Sequence, residues 1–204
     1  YTLVITDIHS CTNTSDISIS VNTIPIINID DIDPLCEGEN INLTETGGDA
    51  ISWDWTGPNG FTSTDQNPEI TNANTSNSGS YYLSITDINS CTNSANTSIT
   101  VNANPTANIE PASIAICEGE STELVASGDG TYAWSHSSET SASVTVNPIT
   151  ETTYTVTVTN TNNCSASASS TVSVNQNPTA NITPANIAIC EGESTELVAS
   201  GDGT

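Results

Sequence analysis

Residues 104–131 read NPTANIEPASIAICEGESTELVASGDGT, and residues 177–204 repeat them with changes only at Glu110/Thr183 and Ser113/Asn186. A near-identical copy 73 residues further on means tandem repeats. In such a chain each unit is built alike and contacts mainly its neighbours in the series. The second copy breaks off where a further strand is expected. The sequence therefore reads as a window on a longer array.

Three further segments share one register. They are Tyr1 to Pro25 (YTLVITDIHSCTNTSDISISVNTIP), Tyr82 to Pro105 (YLSITDINSCTNSANTSITVNANP) and Tyr154 to Pro178 (YTVTVTNTNNCSASASSTVSVNQNP). Each alternates apolar and polar residues, turns, carries a cysteine, alternates again and stops at proline. Alternation of period two predicts half-buried strands. The boundaries that follow are 1–23, the C-terminal hairpin of one domain; 24–103 and 104–176, two whole domains; and 177–204, the opening strands of a fourth. Within 24–103 the expected strands run through IPIINIDDIDPLC, ENINLTETGG, AISWDWT and PEITNANTS before the hairpin. Short strands at this spacing, without helical periodicity, predict a β-sandwich.

Two details sharpen that to an immunoglobulin-like sandwich. The third strand carries Trp53 and Trp55 in one domain and Trp134 in the next, where such folds pack an aromatic. The sixth strand opens on Tyr81 or Tyr154, which resembles a tyrosine corner. The expected class is all-β, tandem immunoglobulin-like domains stacked head to tail. Pro25, Pro105 and Pro178 sit at the joints, and proline fixes φ and restricts the residue before it. The joints are therefore expected to be stiff.

Composition removes whole classes of function. There is no Lys, no Arg and no Met, against 24 acidic residues and a formal charge of -24. Nucleic acid and anionic membrane surfaces demand basic patches, so neither is an expected partner. Schiff-base, P-loop and arginine-clamp chemistry is absent for want of the side chains. No apolar run is long enough for a membrane-spanning helix. Six cysteines in a Ser/Thr/Asn-rich chain suggest an oxidising, extracellular setting.

The run Cys117-Glu118-Gly119-Glu120, the Tyr154-to-Cys164 segment and WTGPNGF (Trp55 to Phe61) resemble the Ig-like and PKD-like repeats of giant surface proteins in Bacteroidota. That group includes the mobile adhesins of gliding bacteria exported by the type IX system. The W-D-F-G-D-G signature of PKD domains proper is absent, which favours the Ig-like label. The resemblance implies display on the bacterial cell surface, a stalk or filament architecture and adhesion. It implies no catalytic residues, and the chain is not expected to be an enzyme.

The cysteines leave two pairings open. The first cysteine of each domain (Cys36, Cys117, Cys190) lies between the first two strands, and the second (Cys11, Cys91, Cys164) lies past the sixth. Pairing within domains joins Cys36 to Cys91 and Cys117 to Cys164. Pairing between domains joins Cys36 to Cys164, with the partners of Cys11, Cys91, Cys117 and Cys190 outside the window. The second is favoured because the two positions sit at opposite poles of a sandwich. A strand of seven residues spans roughly 23 Å, whereas bonded cysteines hold their Cα atoms about 4.4–6.8 Å apart.

Asp30, Asp31, Asp33, Glu37 and Glu39 are weak calcium candidates beside a domain junction, since Ca²⁺ takes six to eight oxygen ligands. Otherwise no cofactor or metal is expected. His136 stands among Ser135, Ser137 and Glu139, but neighbours on one strand or turn do not converge as a triad must. Phe61 lies in an expected loop and is a candidate for stacking on a sugar. The leading reading is a structural segment of a secreted stalk or filament, its partners being neighbouring repeats and other copies. The alternative is a repeated module that binds glycan or protein.

Overall fold

A computed structural model describes residues 1–202. Among them the chain forms strands and short turns, with no α-helix. It divides into two units, Tyr1–Ala103 and Asn104–Thr204.

The first unit opens with a hairpin, β1 (Thr2–Thr6) and β2 (Thr12–Asp16). Leu3, Val4 and Ile5 are exposed there, with no second sheet over either face among the described residues. The sandwich follows: β3 (Leu35–Cys36), β4 (Ile41–Asn42), β5 (Ala50–Thr56), β6 (Thr62–Ser63), β7 (Glu69–Ile70), β8 (Gly79–Asp87), β9 (Thr92–Ile99) and β10 (Val101–Asn102). One sheet has the order β6-β5-β8-β9. In the other, β4 pairs with β7, and Ile29 bridges to Glu45. After Pro34 the chain leaves that layer, and β3 runs parallel to β10. Proline suits this crossing, because its missing N–H costs no ladder bond at a sheet edge.

The second unit repeats the plan. Its strands are β11 (Asn108–Glu110), β12 (Ser113–Cys117), β13 (Thr122–Ser127), β14 (Thr131–Trp134), β15 (Ser143–Val146), β16 (Thr152–Thr159) and β17 (Ser165–Asn175). They form the sheets β11-β13-β15 and β12-β17-β16-β14, with β12 again parallel to β17. Beyond them, β18 (Ala180–Thr183) pairs with β19 (Val198–Gly201), and both are exposed.

Alternation explains the cores. On β8, Tyr81, Leu83 and Ile85 point inward and Tyr82 and Ser84 outward. They meet Ile41, Leu43, Trp55 and Ile99 in the first core. Leu124, Trp134, Tyr154, Val156 and Val172 occupy the second. Trp53, expected in the core, is only half-buried, and its Nε1 donates to the Glu45 carboxyl at 3.1 Å. Phe61 is not a loop aromatic open to sugar. It is half-buried against the Tyr81 ring, edge-on, with centroids 5.6 Å apart.

The tyrosine corner forms in one unit only. Tyr81 Oη donates to the Asn77 carbonyl at 2.8 Å, and a Cβ on Gly57 would strike the Tyr81 ring at 2.4 Å. Tyr154 makes no such bond among the described residues and packs instead against the His136 ring. In that unit Tyr132 Oη bonds the Gly128 carbonyl at 2.8 Å. Burial raises the Tyr81 phenol above its ordinary range. Its folded value therefore exceeds the unfolded value of about 10, so the contribution is intact below that pH and is lost as pH rises through the raised value. Melting curves across the alkaline range are expected to show this loss in wild type and a smaller one in Tyr81→Phe.

Candidate functional site

The repeated C-E-G-E run is a self-contained turn. Glu39 N–H donates to the Cys36 carbonyl at 3.1 Å, and the Glu39 carboxylate accepts from Cys36 N–H at 2.7 Å. Cys117 and Glu120 do the same, with both bonds at 3.0 Å, and Cys190 and Glu193 do so at 3.1 Å. The glycine at the third position has φ of +92°, +89° and +91° in the three copies. That conformation favours glycine. Each residue of the motif thus has a local reason, and the second glutamate is a cap rather than a ligand. Glu120→Ala is expected to cost about 1 kcal/mol by loss of that cap. Gly119→Ala is expected to cost about 1–3 kcal/mol through backbone strain alone, since a Cβ there meets nothing within 4 Å. Thermal melts of the single variants check both.

The other cysteine follows an equally fixed turn. Asp87 Oδ1 accepts from Asn89 N–H at 2.9 Å and from Cys91 N–H at 2.8 Å. Asp7 serves His9 and Cys11 in this way, and Asn160 serves Asn162 and Cys164. The residue before each cysteine (Ser10, Ser90, Asn163) has φ of +68°, +64° and +63°. Asx side chains favour such turns by standing in for a backbone acceptor.

These turns mark the two ends of each sandwich. Cys36 lies opposite Asn102 in the parallel register, and Cys91 precedes Asn102 by eleven positions, the length of β9 and β10 together. That is roughly 36 Å of extended chain, several times what a disulfide spans. The register likewise sets Cys117 opposite Asn175, eleven positions beyond Cys164. Pairing within domains, Cys36–Cys91 or Cys117–Cys164, is therefore excluded by the strand register. Cys36 and Cys164 are disulfide-bonded, whereas Cys11, Cys91, Cys117 and Cys190 carry free thiols. Cys164 is buried, and Cys11, Cys117 and Cys190 are exposed.

The chain path follows the same polarity. Asn93 Nδ2, just past the Cys91 turn, donates to the Pro25 carbonyl at 2.9 Å, so the chain enters the sandwich at that end. At the other end Glu37 N–H donates to the Asn102 carbonyl at 2.9 Å, where the last strand leaves. In the second unit Glu118 N–H bonds the Asn175 carbonyl, and Asn177 Nδ2 bonds the Glu118 carbonyl at 3.0 Å.

The other sequence candidates do not assemble. No group of three or more His, Cys, Asp or Glu side chains among the described residues is placed to hold a metal ion. Asp30, Asp31, Asp33, Glu37 and Glu39 are thus not gathered into a calcium site, and Glu39 is committed to its turn. Ser135 Oγ lies 2.6 Å from His136 Nδ1 and accepts from Thr155 N–H, but no carboxylate bonds the imidazole among the described residues. No described helix is long and apolar enough to cross a membrane.

The two layers, the parallel closure by β3 or β12 and the buried tryptophan define the architecture. Residues 23–105 match the family model of the Ig-like domain, CHU_C associated. The fold is immunoglobulin-like. Among solved structures, the Ig-like chain is similar to the three N-terminal domains of the bacteriophage RB49 Highly Immunogenic Outer Capsid protein (Hoc). Identity there is 18% and the TM-score 0.36, over 87% of this chain and 69% of that one. It is also similar to the N-terminal four Ig domains of Dscam1 isoform 6.44, at 16% identity and TM-score 0.33, over 82% of this chain and 52% of that one. The Ig-like chain thus spans about half of the Dscam1 structure, and the fold assignment rests on the strand order and the family match. No curated protein sequence matches the chain.

Proposed function

We propose that these repeats form a structural segment of a long extracellular stalk or filament, of the kind found in the giant bacterial surface proteins that the sequence resembles. The observation that carries this reading is the polarity of the sandwich: the chain of the first unit enters beside the Asp87–Cys91 turn, and in both units it leaves beside the C-E-G-E turn. In the head-to-tail array that we propose, the exit end of one domain would meet the entry end of the next. The cysteines at those ends are Cys36 and Cys164, which we propose pair with each other as a staple across the joint. Their disulfide-bonded state, and the free thiols of the other four, support that choice. The remaining cysteines would pair with further repeats of the same array. A formal charge of -24 with no Lys or Arg adds mutual repulsion between neighbouring filaments.

Two measurements test the proposal. Mass spectrometry of a Glu-C digest without reductant is expected to give one linked peptide pair containing Cys36 and Cys164. A Cys36–Cys91 pair, or Cys36 as a free thiol, would overturn the staple. Electron microscopy of cell-surface material labelled through this segment is expected to show thin filaments with an axial repeat of roughly 40 Å, the length of an eleven-residue strand with its joint. Compact labelled particles would replace the stalk with a ligand-binding module.

A further inference from the structure

The two sandwiches differ beside their equivalent tryptophans. In the first unit, Trp55 Nε1 donates to the Gln66 carbonyl at 3.3 Å, and the segment between them carries Phe61 onto the Tyr81 ring. In the second, Trp134 Nε1 donates to the Ser141 carbonyl at 3.0 Å. Trp55 and Trp134 are equivalent: Trp55 faces Leu83, two residues after Tyr81, and Trp134 faces Val156, two residues after Tyr154. Eleven positions separate Trp55 from Gln66, but only seven separate Trp134 from Ser141. The shorter connection carries no phenylalanine. His136 lies against Tyr154 instead, with centroids 5.0 Å apart. A cavity of about 210 Å³ opens there, lined by Trp134, His136, Ser137, Glu139, Val146 and Tyr154.

We propose that this cavity is a binding site for an aromatic ring carried next to a cationic group. The ring is specified by the first unit, whose own Phe61 shows what the framework accepts beside the equivalent tyrosine. Trp134, Val146 and Tyr154 supply the apolar walls, and desolvating a ring against them is favourable. The charge is specified by Glu139 at the rim and by the absence of any Lys or Arg in the chain. A ligand carboxylate finds no lysine or arginine to pair with, while an ammonium or guanidinium finds Glu139. The same chemistry is offered by a free arylalkylamine and by a Phe or Tyr beside Lys or Arg in a peptide.

NMR titration of the ¹⁵N-labelled chain tests the site, using phenethylamine, phenylacetate, benzyl alcohol and the capped dipeptide acetyl-Phe-Lys-amide as probes. Phenethylamine is expected to shift the Trp134 indole resonance saturably and to leave the fully buried Trp55 indole unmoved. Phenylacetate is expected to bind more weakly than phenethylamine. Glu139→Gln is expected to weaken phenethylamine about 2–5-fold, the range for a solvent-exposed charge pair, and to leave benzyl alcohol unchanged. Phe61→Ala is expected to make the Trp55 indole responsive too. Binding of the dipeptide without the amine assigns the ligand to a peptide, and the reverse assigns it to a free amine. No saturable shift at Trp134 with either, equal shifts at both indoles of the wild type, or phenylacetate binding as tightly as phenethylamine would overturn the proposal.

Discussion

Trp55→Ala is expected to lower the stability of the first sandwich by about 3–5 kcal/mol, the range for removing a buried tryptophan. The side chain is fully buried at the centre of its core and also bonds the Gln66 carbonyl. Its loss leaves a cavity among Leu43, Leu83 and Ile85, and the surrounding β-sheet cannot collapse to fill it. Domains of this size hold only about 5–15 kcal/mol in total, so the variant is expected to sit near its unfolding transition at room temperature. Denaturant titration followed at Tyr81 resonances measures the loss. Trp134 belongs to a separate core and reports whether the effect is confined to the first unit. A change below about 1 kcal/mol would mean that Trp55 is not the core element described above.

The second large effect is expected at Glu45. This carboxyl group is 1% exposed in a chain without a single Lys or Arg to pair with it. It is held by hydrogen-bond donors instead: Gly47 N–H, Trp53 Nε1 at 3.1 Å and Gln66 Nε2 at 3.3 Å. Its own N–H donates to Asn67 Oδ1, and its carbonyl accepts from Gln66. Glu45 thus gathers the end of its own strand, the third strand and the long connection around one side chain. Glu45→Ala keeps the backbone bonds but strands the other donors, each at a cost of about 1–3 kcal/mol when it stays buried. Partial rehydration reduces that sum, and a net loss of about 3 kcal/mol is expected. Glu45→Gln keeps the shape and one acceptor oxygen, so it is expected to lose clearly less. Equal losses in the two variants would show that packing, not the donor set, is what Glu45 supplies. The second unit places Ala126 at the matching position, buried, and its methyl group can accept no hydrogen bond.

Much of the fold was legible because β-structure writes itself into sequence with period two. The alternation over Tyr82 to Asp87 and Tyr154 to Thr159 marks half-buried strands, and their inward residues are the ones buried. The turn residues were legible as turns but not as mechanisms. C-E-G-E looked acidic, which suggested calcium, whereas its last glutamate is spent on a backbone N–H of its own turn. The glycine at the third position was the available signal, since a positive φ there is what a type II turn requires. Glu45 carried a signal that is easily passed over: Ile41, Leu43 and Glu45 alternate onto one face, so period two turns this carboxyl inward, but the donors that hold it come from segments remote in sequence.

The sequence by itself determined the repeat period, the all-β class, the proline-bounded strands and the absence of any basic chemistry, because those follow from local periodicity and composition. Only the tertiary structure decided how far apart the cysteines lie. The parallel pairing of β3 with β10 and of β12 with β17 sets each first cysteine beside the end of the last strand, eleven positions from the second cysteine. It also decided that Phe61 packs on the Tyr81 ring, whereas a cavity opens beside Trp134 and Tyr154. Both depend on contacts between residues remote in sequence, and these arise only when the two sheets close on one core.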